Sequence, residues 1–141
     1  MSIEFIDHTA DVGVRLTASS LDALFGEAAV AFARTVTDVS DVVPRQTLHL
    51  AVDAEDLGQL LVEWLSELVG RFDIDQFLPR SASVRVRRSS SGWNLVATVD
   101  GQTIDVTRHR IRAVVKGVTY HALRVEQVAS GEWQATVVFD V

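Results

Sequence analysis

The sequence predicts an α+β domain of two layers, a mixed or largely antiparallel sheet with two helices on one face. Three features carry that prediction. Two long segments place apolar residues at helical spacing, most of the remaining chain alternates with a period of two, and turn-forming residues separate the alternating runs. The chain has 141 residues, 48% hydrophobic against 23% charged. That balance can order one hydrophobic core, so residues 1–141 are expected to form a single domain.

Residues 3–7 and 12–17 alternate, with Val12, Val14 and Leu16 on one face, and read as strands joined by the turn His8-Thr9-Ala10-Asp11. Ser19 with Asp22 three residues on has the capping-box spacing. After it Leu21, Leu24, Phe25, Ala28, Ala29 and Phe32 trace an amphipathic helix of about four turns. A loop with Pro44 leads to a strand over 47–52, and Asp53 with Asp56 opens a second helix. Its stripe of Leu57, Leu60, Leu61, Trp64, Leu65, Leu68 and Val69 is expected to stop at Gly70. Each helix should bury one face against a sheet.

From Pro79 the period is two: Val84 and Val86 alternate with arginines, Ser89-Ser90-Ser91-Gly92 turns the chain, and residues 93–99 return. Asp100-Gly101 is a hairpin signal before a strand over 103–106. Residues 111–118, 120–128 and 133–141 read as the last strands.

Composition narrows the function. No apolar run approaches the roughly 20 residues of a spanning helix, and the N-terminal segment lacks a basic region followed by an apolar core, so a cytoplasmic protein without a membrane partner is expected. The absence of cysteine excludes disulfides, thiolate metal sites and cysteine nucleophiles. A net charge of -6 speaks against a protein whose main affinity is for phosphate backbones, and no stable direct nucleic-acid binding is expected. The charge is divided unevenly. Residues 1–70 hold 3 Arg against 12 Asp and Glu, and residues 71–141 hold 10 Lys and Arg against 7. An acidic half suits a metal or a basic partner surface; a basic half suits phosphates.

Three clusters carry chemistry. Asp7, His8 and Asp11 place two carboxylates and an imidazole at a turn where side chains can converge on an ion, although aspartates also favour turns by bonding nearby backbone N–H groups. At the far end, Asp140 is followed by the terminal carboxylate of Val141. Docked beside the first cluster, this pair would complete an oxygen-rich site for a hard divalent cation, with His8 admitting zinc or manganese; a solvated tail is the alternative. The third cluster runs from Arg108 and His109 to Lys116, Tyr120 and His121. Lys116 is the sole lysine among 13 cations, a compact charge suited to a phosphate oxygen or to a solvated strand edge. Arg85, Arg87, Arg88, Arg108, Arg110 and Arg112 could form a basic surface, or simply alternate on exposed strand faces.

In combination and order these segments resemble the archease family. The resemblance rests on DHTADVG at 7–13, LDALFGEAAVAF at 21–32, LLVEWLSEL at 60–68, RH at 108–109, VKGVTYH at 115–121 and WQATVVFDV at 133–141, and leaves about 80–100 unmatched. It implies a chaperone-like accessory protein, not an enzyme, that promotes guanylylation and multiple turnover of an RtcB-type RNA ligase in tRNA splicing and RNA repair. GTP would enter through the ligase. By position, Asp11 and Asp140 would be the central ligands of a divalent metal ion, whether calcium, magnesium, manganese or zinc. His8 and the Val141 carboxylate would be neighbours, Lys116 a functional cation, and Asp7, Arg108, His109 and His121 outer members. Two departures stand out, since the family pattern places an acid near Val114 and alanine at Gly117. The alternative, a metal-dependent phosphoesterase or nucleotide hydrolase using the same acids, lacks a Gly-rich phosphate loop, a Walker lysine and a nucleophile–base pair. No catalytic residue is assigned. The metal reading sets one geometric condition: residues 7–11 and 139–141 must lie together, within direct metal-ligand reach.

Overall fold

The computed structural model describes residues 1–7 and 11–141, with Asp7 as backbone only. Strands β1 (Ser2–Asp7) and β2 (Asp11–Ala18) precede helix α1 (Leu21–Val36). Strand β3 (Gln46–Ala54) leads to helix α2 (Leu57–Asp75), and β4 (Phe77–Ser89), β5 (Gly92–Thr103), β6 (Gly117–Gln127) and β7 (Trp133–Asp140) follow. The α+β class stands. The strands divide into two sheets where one was expected, ordered β1-β2-β7-β6 and β3-β5-β4, and every pairing is antiparallel.

Helix α1 explains the division. It packs on β2 and β7 of one sheet and on β4 of the other, and it also meets α2. Buried side chains therefore ring much of its circumference, where one face was expected: Leu24, Phe25, Ala28, Ala29, Ala31, Phe32 and Ala33 are all fully buried. Four of these are alanines, small enough for neighbouring elements to approach on several sides. Helix α2 contributes the fully buried Trp64, whose indole N–H donates to the Phe25 carbonyl at 2.9 Å and ties the two helices together.

The caps differ from the sequence expectation by small steps. Ser20, not Ser19, caps α1, accepting from the Ala23 N–H at 3.1 Å. Asp22 is drawn away from any capping box: its carboxylate accepts from the Val86 N–H on the edge of β4 at 2.8 Å and pairs with Arg87. Asp56 caps α2 through the Gln59 N–H, while Asp53 belongs to β3. Helix α2 runs through Gly70 because buried Phe72 extends its apolar stripe, and it ends at Gln76, which adopts φ 57° and donates to the Phe72 carbonyl. The serine turn joins β4 to β5 as expected.

Asp100-Gly101, by contrast, lies inside β5. A Cβ on Gly101 would fall 2.0 Å from the Leu78 carbonyl oxygen, so glycine serves close strand approach rather than a turn. The strands expected over 103–106 and from 111 do not form. Residues 104–116 instead make a strap without regular strand or helix, and β6 begins at Gly117.

Candidate functional site

The β2–β7 ladder sets Asp11 directly opposite Asp140. In an antiparallel pair such residues have Cα atoms about 4.5–5.5 Å apart and side chains on the same face. The parity of the ladder fixes which face that is. Val14 and Leu16 of β2 and Val137 and Phe139 of β7 fill the core, so the adjacent acids point away from it. Asp140 is exposed and Asp11 half-buried. On the other side of β7, Asp140 faces Gly117, and the Lys116 N–H donates to the Asp140 carbonyl at 2.7 Å. One step further along the same register, Lys116 lies across from Val141.

Segments from positions 11, 116–117 and 140–141 therefore meet at one end of the four-stranded sheet. Asp7 is the last residue of β1, opposite Val12, so its backbone reaches the same end. His8 lies outside the described residues. Among the described residues, no three His, Asp or Glu side chains form a group that could hold a metal ion. The two acid side chains set opposite each other at this end are those of Asp11 and Asp140. Directly opposed like charges repel, and a cation between them would relieve that repulsion.

His109, Arg108 and His121 have surroundings of their own. His109 is buried, 3% exposed, and both ring nitrogens are used. Nδ1 accepts from the Asp105 N–H at 2.9 Å and Nε2 donates to the Asp41 carbonyl at 2.8 Å, an arrangement that requires the neutral Nε2–H form. Its place is a latch between the strap and the 3-10 turn Val39–Asp41, with no nitrogen left for a ligand. Arg108 is exposed, and its N–H bonds the Asp105 carbonyl. His121 lies four residues up β6 from Gly117, exposed, beside a register shift between Thr119 and Arg124 where Ala122 takes φ 57°. Of the two departures from the family pattern, Gly117 is structurally mild, since a Cβ there would meet nothing within 4 Å. Val114 is half exposed.

Sequence reasoning did not single out the far end of α1. The Thr37 hydroxyl donates to the Arg110 carbonyl at 2.6 Å, and the Arg112 N–H donates to the Val36 carbonyl at 2.7 Å. Asp38 accepts from the Ser40 hydroxyl and N–H, and these bonds hold its carboxyl below the usual carboxylate range, with Arg112 and Arg34 adding smaller pulls. Asp105 is held low likewise by the Thr107 hydroxyl and N–H. Asp38-Val39-Ser40 and Asp105-Val106-Thr107 share the Asp-x-Ser/Thr spacing of local side-chain turns, a signal that was legible in the sequence.

Fold and site together describe a small α+β protein in which the second and last strands pair and oppose two acids at their shared end. The chain belongs to the archease family, whose model, the Archease protein family, matches residues 3–141. It is 35% identical to the protein archease of Methanopyrus kandleri over 141 residues, all of both chains. It is 34% identical to that of Thermococcus gammatolerans over 138 residues, 98% of this chain and 97% of the relative. The solution structure of Methanobacterium thermoautotrophicum protein 1598 superposes with a TM-score of 0.86 at 29% identity, covering 99% of this chain and 98% of that one. A Thermotoga maritima crystal structure, described as an archease and possible chaperone, shares the fold at TM-score 0.62 and 17% identity, covering 96% and 94%. Among the described residues, no helix is long and apolar enough to cross a membrane.

Proposed function

We propose that this protein is a metal-binding accessory factor that promotes guanylylation and repeated turnover of an RtcB-type RNA ligase. The observation that carries the reading is the opposition of Asp11 and Asp140 across the β2–β7 ladder, with the Lys116 backbone bonded to Asp140. Family membership supports it. The donors fit a hard divalent ion: two aspartates and the Val141 carboxylate suit calcium, magnesium or manganese, and His8 would widen the choice to zinc. Such an ion would supply positive charge for a phosphoryl oxygen. The chain's own contribution is positional. The antiparallel register holds the two carboxylates on one face, and the strap delivers Lys116 to the same end.

Two measurements test the proposal. Calorimetric titration with each of the four metals is expected to show saturable binding that Asp11→Ala or Asp140→Ala removes. In a multiple-turnover ligation assay with the cognate ligase, Asp140→Ala and Lys116→Ala should lose stimulation. Stimulation equal to wild type by both variants would refute the mechanism.

A further inference from the structure

The three arginines of the strap are not spent on holding it in place. Main-chain groups and His109 do that work: Ile104 N–H on the Gln76 carbonyl, Arg112 N–H on Val36, Lys116 N–H on Asp140, the Thr37 hydroxyl on the Arg110 carbonyl, and the His109 latch. Among the described residues, the side-chain ion pairs and arginine hydrogen bonds involve other arginines. Arg108, Arg110, Ile111 and Arg112 of the strap line a cleft of about 740 Å³ together with Thr37, Asp38 and Asp41. That volume lies in the range of small-ligand sites, roughly 300–1,000 Å³.

A planar guanidinium presents paired N–H groups that match phosphate oxygens. Three arginines at alternate positions of the strap line one cleft, enough to serve consecutive phosphates. The acids of the lining sharpen the requirement. Asp38 is occupied by Ser40, but Asp41 adds a second negative charge to the cleft lining, against any incoming anion. A single negative charge gains little against it, whereas a ligand that bridges several guanidiniums gains at each one. From Arg112 to Lys116 is four residues, at most about 14 Å of chain, and the Lys116 N–H bonds Asp140 at the end of the sheet where Asp11 and Asp140 meet.

We propose that the cleft lined by Arg108, Arg110 and Arg112 binds the consecutive phosphates of a nucleotide ligand, presented by single-stranded RNA or by a free polyphosphate chain. The acidic net charge of the whole chain opposes approach at long range, so the affinity is modest and sensitive to salt. This site goes beyond the metal reading and does not require it.

The test therefore runs in a metal chelator. Fluorescence anisotropy follows a labelled single-stranded RNA 12-mer, with inorganic tripolyphosphate as competitor and as a separate ligand in calorimetry. Three phosphate contacts predict binding about 20-fold weaker at 200 mM than at 50 mM salt, a log–log slope near -2. Arg110→Gln with Arg112→Gln should weaken binding and bring the slope to about -0.7, because one contact remains. The strap anchors at those positions are main-chain groups, so circular dichroism should be unchanged. Asp41→Asn should tighten binding, and Arg85→Gln on the other sheet should leave it unaltered. RNA binding that tripolyphosphate displaces at similar concentration assigns free polyphosphate as sufficient, and RNA binding that resists it assigns the strand; both support the site. No saturable binding of either probe, or binding that the double variant retains with an unchanged salt slope, overturns it.

Discussion

Replacing His109 with alanine tests whether the strap is held as the structure indicates. The ring is 3% exposed, and it bonds the Asp105 N–H at 2.9 Å and the Asp41 carbonyl at 2.8 Å. Each net hydrogen bond contributes about 1 kcal/mol, and a partner left unsatisfied out of water adds a penalty of about 1–3 kcal/mol. The strap is at the surface, and water can reach part of what the ring vacates. A loss of about 2–4 kcal/mol is therefore expected, with the upper end requiring that both partners stay dry. Urea denaturation followed by tryptophan fluorescence gives the global value, and amide exchange gives its location. Protection should fall first at Arg112 and Lys116, whose N–H groups bond Val36 and Asp140. Destabilisation below about 1 kcal/mol, or a larger loss with unchanged exchange in residues 104–116, would refute the latch.

Gly101→Ala and Gly117→Ala make a matched pair: the first drives a Cβ to 2.0 Å from the Leu78 carbonyl oxygen and should cost about 3 kcal/mol or more, while the second meets nothing within 4 Å and should stay within about 0.5 kcal/mol by denaturation. Trp64→Phe removes the bond to the Phe25 carbonyl and part of a fully buried ring, and is expected to lower stability by about 2–3 kcal/mol in the same assay. Asp38 and Asp105 have folded pKa values lowered from 3.8, so the stability they add is present above that value and is lost as pH falls through the lower folded values. Melting temperatures followed downward from pH 3.8 should fall less steeply for Asp38→Asn and Asp105→Asn than for wild type.

Much of the architecture was legible because local periodicity reflects burial. The stripes of α1 and α2 and the alternation of Val84 and Val86 each report a face turned inward, and those faces form one contiguous core. Legibility failed where a distant element decided the local outcome. Gly70 and Asp100-Gly101 carry the local chemistry of a stop and a turn, yet Phe72 found a buried site that prolonged α2, and Leu78 came close enough to Gly101 to make glycine a strand residue. Asp22 carries the chemistry of a cap and was taken by the edge of β4, which needed an acceptor for the Val86 N–H.

The same division runs through the candidate site. The sequence by itself determined the acids, the single lysine and the family resemblance, since these depend only on which residues occur and in what order. Only the tertiary structure decided that Asp11 stands opposite Asp140, because the pairing joins segments 129 positions apart, and the register follows from burying Val14 and Leu16 with Val137 and Phe139 in the shared core. A slip of one residue would have turned the acids to opposite faces. Tertiary structure also set His109 as a latch between Asp105 and Asp41 and gave Arg108, Arg110 and Arg112 a common cleft, through anchors on Val36, Thr37 and Asp41 that no local pattern in residues 104–116 encodes.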